Sequence, residues 1–160
     1  MKKSLILGLV FVFFLFDIAL KKVVVTFSAA ILSGNLSVHL PILPFVCFDL
    51  AYVENTGMAW GLFSSFQFLI LLIRMVLIAI IGFGMMKSKS IQSQIVPYAL
   101  IFFGAVGNVI DTFVYGHVID MLHFTFWGNS YGIFNIADAM IFLGAIFIIF
   151  SRNRPYAVKE

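Results

Sequence analysis

The chain has 160 residues, of which 62% are hydrophobic and only 11% are charged. A soluble domain carries about 25% charged and 45–50% apolar residues, and one this small has too little interior to hide such a surplus. Ten basic and seven acidic residues give a net charge of +3 with no basic run suited to nucleic acid, and the single cysteine, Cys47, excludes a disulfide framework or a CxxC metal site.

What remains is an integral membrane protein, whose helices need roughly 20 mostly apolar residues each. The first apolar stretch, about 4–21, is interrupted by Asp17. Lys2 and Lys3 imitate the start of a cleavable signal peptide. No small-x-small site follows the apolar core before Asp17, Lys21 and Lys22, so a retained helix is expected. The connection 22–65 contains VVVTF (23–27) and SVHLPILPFVCFDLAYV (37–53), rich in β-branched and aromatic residues, with Pro41 and Pro44 as breakers. Such runs predict strands.

The second span, about 66–86, contains Arg74. The third, about 94–111, has Ser93 as a candidate cap and Pro97 in its first turn, where proline is tolerated. The connection 112–134 includes FVYGHVIDMLHFTFW (113–127), again strand-like, and the fourth span, about 135–151, carries Asp138. The expected architecture is a single integral membrane domain over 1–160. It has four transmembrane helices and a small extracytoplasmic β-sheet formed by the two outer connections. Lys2, Lys3, Lys87, Lys89, Arg152, Arg154 and Lys159 fall on one side of these spans, against Lys21 and Lys22 on the other. Both termini are therefore expected to be cytoplasmic.

The acids are Asp17, Asp49, Glu54, Asp111, Asp120, Asp138 and Glu160. Ionisable groups in or beside hydrocarbon are costly and so point to function. Asp111, Asp120 and Asp138 surround one outer connection, which brings them to one membrane face. GAVGNVID (104–111) places Asn108 and Asp111 on one helix face, and FNIAD (134–138) does the same for Asn135 and Asp138. The second pair also has the form of a capping box, whereas an acid at a helix C-terminus such as Asp111 has no such explanation. Asp120 and Asp138 sharing one low-dielectric site would hold a proton between them, one activating water and the other donating to the substrate. That chemistry needs no metal, thiol or cofactor. His39, His117 and His123 lack the HExxH pairing, and no GxSxG occurs. Asp17 and Lys21, at i and i+4, suit a structural ion pair. His117 and His123 flank the Asp120 segment as candidates for substrate contact only.

The motifs, taken in order, resemble those of the bacterial lipoprotein signal peptidases, signal peptidase II. They are Asp17…Lys21, ENTGMAWGLF (54–63), GAVGNVID (104–111), YGHVIDMLHF (115–124) and FNIADAMIFLG (134–144), and they cover nearly the whole chain. The resemblance implies an intramembrane aspartic endopeptidase of the bacterial cytoplasmic (inner) membrane. Its substrates would be lipid-modified prolipoproteins, cut just before the diacylglyceryl-cysteine. It further implies that Asp120 and Asp138 are catalytic and that Asn55, Asn108 and Asn135 bind substrate around the pocket. Asp111, Arg74, Asp17, Lys21, Gly57 and Gly104 would support the site. Thr112 stands where the family usually has arginine, and Trp60 where phenylalanine is more common. Arg74, too deep in its span to snorkel comfortably, is expected to pair with Asp111 or Asp17 instead. Membrane lipids are the other expected partners, with no nucleic acid and no obligatory protein partner. The alternative from another class is a non-catalytic four-helix membrane protein: an inactive homologue, or a small transporter or lipid-binding subunit. Transporters place such acids near the bilayer midplane and often in repeated halves.

Overall fold

The computed structural model describes residues 3–57, 63–87 and 94–152. Lys2, Trp60, Lys89, Ser93, Arg154 and Lys159, on which some expectations above rest, lie outside them. The elements in chain order are α1 (Lys3–Thr26), α2 (Ser28–Leu32), β1 (His39–Leu43), β2 (Val46–Asn55), a 3-10 turn (Ser64–Phe66) and α3 (Gln67–Lys87). They are followed by α4 (Ile95–Tyr115), β3 (Val118–Phe126), β4 (Asn129–Ser130) and α5 (Ile136–Arg152). Among the described residues, α1, α3 and α4 are long and apolar enough to cross a membrane. At about 1.5 Å per residue, the 17 residues of α5 fall a little short of a hydrocarbon core about 30 Å thick.

The helices turn their apolar residues outward. Phe68, Phe83, Phe142 and Phe150 are all more than 60% exposed, and Ile70 is the one buried residue of α3. A soluble monomer does not present apolar surface on that scale. This is a membrane protein with a small antiparallel sheet.

The first helix is longer than its apolar stretch. Residues 22–26, expected to open a strand, continue α1 for more than another turn. Val10, Phe14, Asp17, Lys21 and Val24 repeat at helical spacing and are all buried. Val24 closes a core with Ile119 and Met121 of β3. Helical continuation alone puts Lys21 and Val24 inward together, so packing overrides the β-preference of three consecutive valines. Similarly, Phe113, Val114 and Tyr115 form the last turn of α4 rather than the start of a strand. Gly116, at φ 83°, ends the helix in the left-handed conformation.

The sheet has the order β1-β2-β3-β4, every neighbour antiparallel. The β2–β3 pair aligns Val53 with Asp120 and Asn55 with Val118, after an irregularity between Leu50 and Val53. This register carries Asn55 to the side of Asp120. The β3–β4 hairpin turns on Trp127 (φ 47°) and Gly128 (φ 75°). Tryptophan is an unfavourable residue for a positive φ; its ring stacks on Phe45 at 4.8 Å and its N–H donates to the Phe45 carbonyl at 2.8 Å.

Helices α4 and α5 meet through glycines. A Cβ on Gly104 would lie 2.5 Å from the Ala137 carbonyl oxygen and 2.9 Å from Ile141, and one on Gly144 would lie 2.6 Å from the Pro97 carbonyl. Backbone stands in the way, so the helices would have to separate. We expect Gly104→Ala to destabilise the fold by about 1–3 kcal/mol. Because Ala137 is the neighbour of Asp138, the position of that carboxylate should shift with it. Thermal unfolding in detergent checks the loss of stability.

Candidate active site

The polar residues of the helices and of β3 gather where α3, α4 and α5 meet the sheet. A cavity of about 700 Å³ opens there. One end of its wall is polar: Asn55, Arg74, Asn108, Asp120 and Asp138. The rest is apolar and aromatic, including Phe124, Phe126, Tyr131, Phe134 and Phe142. The rings of Phe124 and Phe134 stack at 5.8 Å, and Phe126 meets Tyr131 edge-on at 5.3 Å.

Asp120 is 2% exposed. Both of its oxygens accept amide hydrogens: Oδ2 from Asn55 Nδ2 at 2.9 Å and Oδ1 from Asn135 Nδ2 at 2.8 Å. Asp138 lies in the first turn of α5, and its Oδ1 accepts from Asn108 Nδ2 at 2.7 Å. Asn135 connects the two acids. Its side-chain oxygen accepts the Asp138 N–H at 2.8 Å, its own N–H reaches Asp138 Oδ2 at 3.4 Å, and its amide serves Asp120 and the Ile119 carbonyl. The FNIAD segment is thus a reciprocal capping box and, through the same residue, a bridge between two carboxylates.

Burial is the largest influence on Asp120 and pushes its carboxyl up to about 6. The Asn55 hydrogen bond opposes this, and the neighbouring negative charge of Asp138 reinforces it.

Of the three asparagines expected to bind substrate, Asn55 and Asn108 line the cavity and Asn135 does not, and all three turn hydrogen bonds to the acids, to Lys21 or to the backbone. Asn55 Oδ1 accepts the Gly57 N–H at 2.9 Å, which fixes the amide so that its NH2 faces Asp120. Asn108 Oδ1 accepts from Lys21 Nζ at 3.2 Å, which directs its NH2 to Asp138 in the same way. Gly57 also receives Arg74, whose Nη2 donates to its carbonyl at 3.2 Å.

The expected pairing of Arg74 with Asp111 or Asp17 is therefore corrected. Both acids pair with Lys21, at 2.7 Å and 2.8 Å, and none of the three side chains is more than 3% exposed. The Asp17–Lys21 ion pair was legible at i and i+4; the second acid was not, because α4 brings it from 90 residues away. A lysine on the buried stripe that holds Val10 and Phe14 was the available signal. Thr112 bonds back to the Asn108 carbonyl at 3.0 Å and stays outside the network.

The remaining candidates lie elsewhere. His117 stands 3.8 Å from Glu54, while His123 bonds Ser130 at 2.7 Å and lies 3.6 Å from Asp49. Neither is among the residues lining the cavity. Among the described residues, no three His, Cys, Asp or Glu side chains converge as metal ligands.

Residues 9–153 match the family model described as signal peptidase (SPase) II. The lipoprotein signal peptidase of Chlamydia pneumoniae is 36% identical over 115 residues, covering 71% of this chain and 68% of that protein. That of Nostoc punctiforme is 40% identical over 141 residues, covering 86% and 81%. In fold, the chain is similar to a bacterial membrane enzyme solved by the in meso method at 2.3 Å resolution. The TM-score is 0.67 at 24% identity, with 95% of each chain covered.

Proposed function

The chain belongs to the signal peptidase II family and is an aspartic peptidase of lipoprotein processing, and on that premise we propose that Asp120 and Asp138 are its catalytic pair. The substrate is a diacylglyceryl-modified prolipoprotein, cut just before the lipidated cysteine. The observation that carries this reading is the pair itself: two carboxylates at the polar end of one cavity, bridged by one asparagine. A non-catalytic membrane protein has no use for such a construction, and that alternative is not favoured.

The two acids differ in setting, and from that difference we infer their roles. Asp138 sits at the N-terminus of α5, where the helix dipole favours a negative charge, and it accepts from Asn108. It is the base that takes a proton from the attacking water. Asp120 lies in a strand without that field, and burial keeps its proton on up to about pH 6. It donates to the scissile carbonyl as the tetrahedral intermediate forms; the proton gained by Asp138 then goes to the leaving amine as the C–N bond breaks, and a diol hydroxyl returns its proton to Asp120. Arg74, at the cavity wall, supplies positive charge to a site otherwise occupied by acids. The asparagines hold the carboxylates, and the aromatic wall receives the acyl chains.

We further infer that α5 is the fourth membrane span, that both termini are cytoplasmic, and that the sheet covers the site at the outer face of the bacterial inner membrane. Substrate enters laterally from the bilayer, because its signal helix and acyl chains both belong there. The direct test is purified full-length protein in lipid bicelles with a diacylglyceryl-modified prolipoprotein. Release of a signal peptide ending just before the lipidated cysteine supports the reading. Intact substrate with several modified prolipoproteins sinks it.

The same assignment predicts a pH dependence. The proton on Asp120 is lost as pH rises through about 6, so kcat/KM falls on the alkaline side with an apparent pKa near that value. The Asn55 amide stabilises the charged form, so Asn55→Ala moves this limb to higher pH. An unmoved limb in Asn55→Ala removes the assignment of the proton to Asp120.

A further inference from the structure

Lys21 does more than neutralise a neighbouring acid. Its ammonium lies 2.8 Å from Asp17 Oδ2, 2.7 Å from Asp111 Oδ2 and 3.2 Å from Asn108 Oδ1, with the whole residue 0% exposed. Each of these partners reaches on to the catalytic pair. Asp17 Oδ1 accepts the N–H of Ala137, the residue before Asp138, at 3.1 Å. Asp111 Oδ2 accepts the N–H of Ile119, the residue before Asp120, at 3.3 Å. Asn108, its oxygen turned to Lys21, gives its amide to Asp138 itself.

We propose that Lys21 is a positioning residue for both catalytic aspartates, its ammonium locking two carboxylates that each grip the backbone amide immediately preceding one of the pair. The inference rests on the assignment of Asp120 and Asp138 made above. Three elements that diverge in sequence, α4, β3 and α5, are tied to one point on α1. A single long side chain sets the distance between β3 and the first turn of α5, and so the separation of the two carboxylates. It also decides the orientation of Asn108. With an ammonium at the oxygen, the amide can only donate toward Asp138.

The arrangement carries a charge imbalance. By formal charge, the two carboxylates and one ammonium sum to one negative. The other charged groups around Asp120 are Asp138 and Arg74 at the cavity; its β2 neighbour Asn55 is neutral, and Glu54 turns to Tyr52 and His117. Removing the ammonium therefore raises the pH at which Asp120 gives up its proton.

The test compares Lys21→Met with the double variant Lys21→Met/Asp17→Asn, which restores the original net charge and keeps an acceptor oxygen facing Ala137. Both are measured as full-length protein in bicelles, with Asp120→Asn alongside. Lys21→Met is expected to lower kcat by about ten- to a hundredfold, with KM changed less than about threefold. Its alkaline limb should move to higher pH. The double variant should regain thermal stability and most of the pH profile, while its kcat stays low. A role confined to stability predicts the opposite: kcat returning together with the melting temperature. That result, or a normal kcat in folded Lys21→Met, overturns the proposal. Should neither variant fold, Asp17→Leu and Asp111→Leu carry the test, because each keeps the ammonium and removes the acceptor of one amide anchor. Lowered kcat with KM unchanged in both supports the proposal, and wild-type kcat in both overturns it. If Asp120→Asn itself cleaves normally, the underlying assignment of the pair fails, and this is seen separately from any effect at Lys21.

Discussion

Replacing either Asp120 or Asp138 by asparagine is expected to lower prolipoprotein cleavage by about 10³-fold or more, while the protein remains folded. General acid–base catalysis by one positioned group contributes typically 10²–10⁴-fold, and here neither partner can take over the other's task. The preserved fold is as important to the expectation as the lost activity. Asp120 has a raised folded-state pKa, so its contribution to stability is fully present below the unfolded value near 3.8. That contribution is lost as pH rises through about 6. At pH 8 the buried anion is a liability, and a neutral asparagine relieves it. Against this, the new NH2 meets a donor, since both oxygens of Asp120 accept amide hydrogens. The two effects oppose each other, and the melting temperature should shift by only a few degrees. Cleavage and thermal unfolding measured on one preparation decide the matter. Near-wild-type turnover in either variant would remove the pair from the chemistry.

The second large effect is expected at Asn135, which is 0% exposed and serves both acids. Asn135→Ala removes the cap on the Asp138 N–H, about 1 kcal/mol, and takes one buried hydrogen bond each from the Ile119 carbonyl and from Asp120, about 1 kcal/mol apiece. A loss of about 3 kcal/mol is expected. Activity should fall about a hundredfold or more, because both carboxylates lose a fixed neighbour. Asn135→Ser separates the two roles. Serine caps α5 nearly as well but cannot send an amide to Asp120, so stability should recover by about 1 kcal/mol while turnover stays low. Recovery of turnover in the serine variant would show that capping was the whole role of Asn135. Denaturant or thermal titration beside a cleavage assay distinguishes these outcomes.

The degree to which this site could be read beforehand follows the range of the forces involved. Hydropathy over about 20 residues records the local cost of burying a segment in lipid, so the apolar segments were legible from composition alone. Helical spacing is equally local, and it exposed Asp17–Lys21 and the Asn135–Asp138 capping box. The sequence motifs also pointed to Asp120 and Asp138, because a carboxylate in an apolar strand and another at a membrane helix start have few structural uses.

Two errors share a physical origin. VVVTF was expected as strand from the preference of valine for pleated backbone, yet Val24 packs against Ile119 and Met121 and holds α1 helical through Thr26. Arg74 was expected to meet Asp111, yet Lys21 reaches Asp111 first and Arg74 bonds the Gly57 carbonyl. In each case the winner was a residue brought close by the packing of separate elements. The asparagines illustrate the same limit. Asn55 and Asn108 line the cavity and Asn135 does not, and because an amide has two faces, only the neighbours at Gly57, Lys21 and Asp138 decide which face meets an acid.

By itself, then, the sequence determined that this is a membrane protein and where its apolar helices run, and it marked Asp111, Asp120 and Asp138 as acids expected to lie together. Those properties depend on free energies summed over neighbouring residues. Tertiary structure alone decided which charge each buried group meets and how the carboxylates are held. Such interactions fall steeply with distance, and the distances are set by helices and strands packed from remote parts of the chain.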